Sequence, residues 1–237
     1  MAREAVKAVV TDARSVGVTY IQGAVVSPQD AGSDTLELIE TISGDKFRAR
    51  EFIFACGPWL PKLFPSLLGE LIHVTRQEVI FFGVPAGQDQ FNLGHLPAWI
   101  DFRELVYGIP NLDNRGFKLA IDEHGPQFDP DTGDRVVSEK GISASRSILT
   151  RRMTLLADAP VTESRVCQYE NTSNGDFLID KHPSFTNVWF VGGGSGHGFK
   201  HGPAIGEHVA ALITGKAQVE PRFSLATKKN VQQRTVY

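Results

Sequence analysis

Between Val191 and Gly206 the chain reads Val-Gly-Gly-Gly-Ser-Gly-His-Gly-Phe-Lys-His-Gly-Pro-Ala-Ile-Gly. Five glycines fall from Gly192 to Gly198, with His197, Lys200 and His201 as polar neighbours. A short apolar run, Asn187 to Val191, precedes this segment, and an apolar-periodic stretch ending at Thr214 and Gly215 follows it. The pattern predicts a strand, a glycine turn and a helix. Glycines let backbone amides approach a ligand closely, and the N-terminus of the following helix favours negative charge. A tight strand-to-helix connection with no ligand is the other reading of the same residues.

The rest of the chain bounds what those residues could serve. Its 237 residues are enough for one large domain or two small ones. With 41% hydrophobic and 22% charged residues and a net charge of −3, the composition is that of a globular protein. No basic stripe recruits nucleic acid, no apolar run has the length of a membrane span, and no spacing suggests a metal site. Residues 1–15 lack a signal-peptide core, and the ending Arg-Thr-Val-Tyr237 is no peroxisomal address. Cys56 and Cys167 are too few for a disulfide framework, so a reducing compartment, the cytoplasm, is expected.

Periodicity gives the elements that must position the candidate residues. Glu4 to Arg14 reads as an amphipathic helix ended by Gly17. Val18 to Val26, Thr35 to Ile42 and Phe47 to Ala55 read as strands, the first two joined by the loop from Gln29 to Asp34. Cys56-Gly57-Pro58-Trp59 then turns into a short helix with Pro58 in its first turn. Further strands are expected at His73–Val84, Ala98–Phe102, Glu104–Ile109 and Gly116–Ala120, forming an antiparallel sheet. Ser138 to Leu156 reads as one helix, and Arg165–Tyr169 and Asp176–Asp180 as short strands. The tail from Lys216 is polar and expected to be loosely held, at least beyond Lys228.

Four segments together resemble the flavin-dependent amine oxidases of the D-amino-acid oxidase superfamily, nearest to sarcosine, N-methyltryptophan and fructosyl-amino-acid oxidases. They are Glu51-Phe-Ile-Phe-Ala-Cys-Gly-Pro-Trp-Leu60; Tyr107-Gly-Ile-Pro with Gly116-Phe-Lys118 and Phe128-Asp-Pro-Asp131; Cys167-Gln-Tyr with Asp176-Phe-Leu-Ile-Asp-Lys-His-Pro183; and Gly194-Ser-Gly-His-Gly-Phe-Lys200 with Gly206. Their order and spacing match from about Ala5 to Gly215.

The resemblance implies FAD as cofactor. It implies that Cys167 is where the flavin attaches through a thioether; a nearby cation would lower the thiol's pKa, and an inert packed cysteine is the alternative. Lys118 matches a lysine that promotes reaction of reduced flavin with oxygen, a pre-placed ammonium stabilising anionic oxygen species. Lys200 matches a lysine that binds the substrate carboxylate. Gly194, Gly196, His197, Gly198, Phe199 and Lys200 fall where the family wraps the flavin ring. Gly57 and Trp59 would border the cofactor, Val26 would lie near the adenine, and Tyr107 would touch substrate, though Trp59 and Tyr107 read equally as packed core. His201 matches no family role. One departure stands out: four residues past the lysine the sarcosine oxidases carry a histidine, whereas in this chain it is Asp122, with His124 two further on.

The fold expected is α/β, a partial FAD-binding nucleotide fold in residues 1–72 and 157–215. An antiparallel substrate-binding sheet and helix occupy 73–156, and a tail 216–237. The expected reaction oxidises a secondary or N-substituted amino acid to an imine, with molecular oxygen as acceptor and hydrogen peroxide as product. Small N-methyl amino acids lead as substrates and glycated amino acids follow. No G-x-G-x-x-G fingerprint is seen. Enzyme status is therefore left open, and two alternatives stand: a non-catalytic remnant, or half of a split enzyme whose partner chain carries the fingerprint.

Overall fold

The structure, a computed structural model, describes residues 1–28 and 32–231. It divides into two compact units, Met1–Ile72 with Asp176–Lys229, and His73–Gly175 with Asn230–Tyr237.

The first unit opens with α1 (Ala2–Ser15), none of whose residues is buried. Gly17 ends it at φ +96°, its amide donating to Arg14 O. The strand expected at Val18–Val26 does not form. Only Val25 makes a bridge, to Thr41, and Val18, Tyr20 and Ile21 stay more than half exposed. β-branched and aromatic residues suit a strand, but a strand exists only where a neighbour supplies hydrogen bonds. Next come β1 (Leu38–Glu40) and β2 (Lys46–Arg48), an antiparallel pair, and β3 (Phe52–Phe54). The run expected as one strand from Phe47 to Ala55 is thus two, serving different sheets. A 3-10 turn at Gly57–Trp59, with Pro58 in its first turn, leads into α2 (Leu60–Leu63) and α3 (Pro65–Leu68). Phe64 sits edge-on to Phe54 at 4.8 Å, which fixes these turns against the strand.

The second unit is a five-stranded sheet and one long helix. Its strands are β4 (Ile72–Phe82), β5 (Trp99–Asp101), β6 (Val106–Ile109) and β7 (Phe117–Ile121). After them come α4 (Glu139–Arg152) and β8 (Val161–Thr172). Their order is β5-β6-β7-β4-β8. β8, which periodicity limited to Arg165–Tyr169 and grouped with the first unit's segments, is hydrogen-bonded beside β4. The expected single helix to Leu156 breaks at Met153, and a 3-10 turn, Thr154–Leu156, follows.

Alternation along the strands gives this sheet two faces. On one, Phe82, Val106, Phe117 and Leu119 pack against Leu149 and Leu156, all 0–1% exposed. Each such side chain contributes roughly 1.5–3 kcal/mol of burial. On the other, Val79, Phe81 and Ala120 are buried, with Tyr107 and Cys167 packed against them. The start of α4 is held by Ser138, whose hydroxyl accepts from Gly141 N at 3.0 Å, and by Glu78, which accepts from Ser138 N at 2.8 Å.

The chain then returns to the first unit with β9 (Leu178–Lys181), β10 (Val188–Gly192) and α5 (Gly202–Ile213). β10 lies between β3, to which it is parallel, and antiparallel β9. Val209 and Leu212 of α5 cover Ile179 and Trp189. The tail is tied down through Lys228. Asp180 Oδ2 accepts from Ser224 Oγ at 2.7 Å and Leu225 N at 2.8 Å, and Lys228 Nζ donates to Arg222 O at 2.9 Å. A polar composition misses this because acceptors elsewhere in the fold, not apolar contacts alone, hold the segment. Part of the expected Gln29–Asp34 loop and residues 232–237 lie outside the described residues.

Candidate functional site

The candidate residues fall in both units. In the second, β7 sets Lys118 on the sheet face that α4 does not cover, in register with Phe81 and Ile109. Its Nζ lies 5.0 Å from the centroid of the Tyr107 ring, a cation–π distance. Burial holds the Lys118 ammonium below its ordinary pKa; Cys167 opposes that, Arg115 and Arg165 add to it, and Asp122 opposes it. Cys167, a free half-buried thiol on β8, is pushed up by burial, while Lys118 and Arg165 pull it back. Two cations act on the thiol, yet desolvation outweighs them.

Two further groups complete this face. Tyr169, two residues beyond Cys167, donates its phenol to Asp122 Oδ1 at 3.1 Å. Burial raises its pKa far above the ordinary value, Tyr107 and Asp122 adding to the rise, so the phenol stays a donor. Asp122 is only 4% exposed. Arg115 forks onto Glu163 at 2.9 and 3.0 Å, and Arg165 donates to the same carboxylate. Sequence reasoning passed over Arg115, Glu163 and Arg165. The signal was there: Glu163, Arg165, Cys167 and Tyr169 recur at every second position of one strand, which places them on one face.

In the first unit, the strand-turn-helix expected at Val191–Gly206 forms with one addition, a 3-10 turn at Gly198–His201 before α5. Gly193, Ser195 and Gly196 adopt positive φ at 70°, 43° and 81°. Gly194 O accepts from His197 N at 2.8 Å and Gly198 N at 2.9 Å, so those two amides hold the turn itself. The His197 and His201 rings stand edge-on to Phe177 at 5.3 and 5.7 Å. Phe199 and Lys200 are exposed. Gly57 sits at φ +54° with open space beside it, and Trp59 is 39% exposed. Val26 donates its amide to Glu40 O and lines a cleft of about 340 Å³ with Leu36, Leu38 and Phe185.

One sheet face of the second unit carries a half-buried thiol and an ammonium that interact electrostatically, and in the first unit a glycine turn opens into a helix. The model of the FAD dependent oxidoreductase family matches residues 2–212, and the chain belongs to that family. Within it, the chain is 32% identical over 212 residues to monomeric sarcosine oxidase of a Bacillus species, covering 87% of this chain and 54% of that protein. It is 26% identical to human peroxisomal sarcosine oxidase, covering 90% and 59%, and 26% identical to N-methyl-L-tryptophan oxidase of Citrobacter koseri, covering 81% and 50%. The chain thus spans about half the length of the curated relatives it matches. Fructosyl peptide oxidase of Aspergillus nidulans shares its fold with a TM-score of 0.79 at 19% identity, covering 94% of this chain and 57% of that one. Among the described residues no helix is long and apolar enough to cross a membrane.

Proposed function

We propose that the whole protein is an amine oxidase acting on small secondary or N-substituted amino acids. The observation that carries this is Cys167 and Lys118 on one sheet face, with Tyr107 under the ammonium. A bound FAD would supply the two-electron oxidation of the substrate C–N bond to an imine, and oxygen would take the electrons to give hydrogen peroxide. Cys167 would tether that cofactor through a thioether. Lys118 would stabilise negative charge on oxygen, its partial burial strengthening the interaction. Lys200 would pair with the substrate carboxylate, and Tyr107 would bound the substrate. Gly57, Trp59, Val26 and the segment Gly194 to Phe199 would contact the cofactor.

Asp122 favours a second substrate reading. It stands where the sarcosine oxidases carry a histidine, and this departure keeps glycated amino acids as the second substrate class. Stopped-flow measurements on the whole protein test the main reading, with sarcosine and a fructosyl amino acid as substrates. The Lys118→Met variant is expected to reduce its flavin at a near-normal rate but to reoxidise it much more slowly with oxygen. Equal slowing of both half-reactions would mean that Lys118 has no particular part in the oxygen step.

A further inference from the structure

Along β8, Glu163, Arg165, Cys167 and Tyr169 share one face. Arg115, on the loop leading into β7, places Nε 3.0 Å and Nη2 2.9 Å from the Glu163 carboxylate oxygens. Its guanidinium lies 4.6 Å from the centroid of the Phe81 ring, and Phe81 belongs to the apolar cluster that Cys167 packs against. Arg165 donates to the same carboxylate. One acid therefore holds two guanidiniums on the face that carries the thiol.

We infer that Glu163 is a positioning residue that fixes Arg115 and Arg165 and offsets their charge, and so governs how readily the Cys167 thiol ionises. This rests on reading Cys167 as the flavin tether, because the thiolate is the reactive form. The other ionisable groups on this face are Lys118 from β7, Asp122 just past it, Tyr107 from β6 and Tyr169 from β8. Lys118 and Arg165 favour the thiolate against burial. Glu163 acts on the thiol through its pairing with Arg165, and with its side chain 28% exposed that action is moderated by solvent.

The test is alkylation of Cys167 by iodoacetamide, in which the thiolate sulfur bonds to carbon and iodide leaves. The whole protein is produced without riboflavin, and the Cys167 peptide is followed by mass across pH for the wild type, Glu163→Gln and Arg165→Met. Glu163→Gln is expected to move the midpoint of the rate profile down, speeding alkylation near neutral pH by about two- to fivefold. Arg165→Met is expected to move it up and slow alkylation by a similar factor. The plateau at high pH reports accessibility separately. Midpoints that stay put, or that move the same way in both variants as simple loosening would cause, overturn the inference. No flavin takes part, so failure of the tether reading would leave these opposite shifts intact.

Discussion

The Tyr169 phenol donates to Asp122 Oδ1 at 3.1 Å, and Asp122 is 4% exposed. Each group is the other's reason for being tolerable where it is. Removing one partner strands a buried polar atom, which costs about 1–3 kcal/mol. Asp122→Ala and Tyr169→Phe should each destabilise by about that amount, and the double variant by clearly less than their sum. Urea unfolding of the four proteins measures this. Simple additivity would mean the contact contributes nothing.

Gly116 places β7, and so Lys118. Its φ is +105°, and a Cβ there would sit 2.6 Å from Phe82 O and 2.7 Å from Thr162 Oγ1. Backbone strain and a clash with a main-chain oxygen act together, so Gly116→Ala should cost about 2 kcal/mol or more. Thermal unfolding, read beside the rate of flavin reoxidation, checks both consequences. A variant as stable as the wild type would show that the loop yields at no cost.

Burial lowers the pKa of the Lys228 ammonium from its ordinary 10.5 to about 8, against the pull of Asp176. The unfolded lysine then holds its proton over a range where the folded one has lost it. The cost of burying the charge is therefore full below about pH 8 and is relieved as pH rises towards 10.5. Relative to Lys228→Met, the wild type should gain stability with pH across that window. Melting temperatures of the two proteins measured from neutral to alkaline pH test it; a constant difference would place the ammonium in water.

The parts of the fold that could be read from sequence were those where local chemistry and tertiary partner agree. The glycine-rich segment after β10 needs positive φ at Gly193 and Gly196, which glycine supplies. The strands from Ile72 to Ile121 are rich in β-branched and aromatic residues that find apolar cover on both faces of the sheet. Val18 to Val26 is rich in strand-forming residues as well, but only its end pairs, Val25 with Thr41, and composition does not reveal partners. The tail misled for the opposite reason, since Asp180 binds Ser224 and Leu225 from 44 and 45 positions away. At the candidate site the residue types of Lys118 and Cys167 were legible, but their setting was not. That Asp122 meets Tyr169, and that Glu163 gathers Arg115 and Arg165, depends on strand pairing across the sheet.

The central claim is that Cys167 tethers the flavin. The direct measurement is the mass and visible absorbance of the Cys167 peptide, taken from the whole protein as its cells make it. The account predicts a yellow peptide heavier by one flavin, and release of all flavin on acid precipitation of the Cys167→Ala variant. A colourless Cys167 peptide with the mass of a free thiol, from protein whose flavin stays in the acid supernatant, would contradict it.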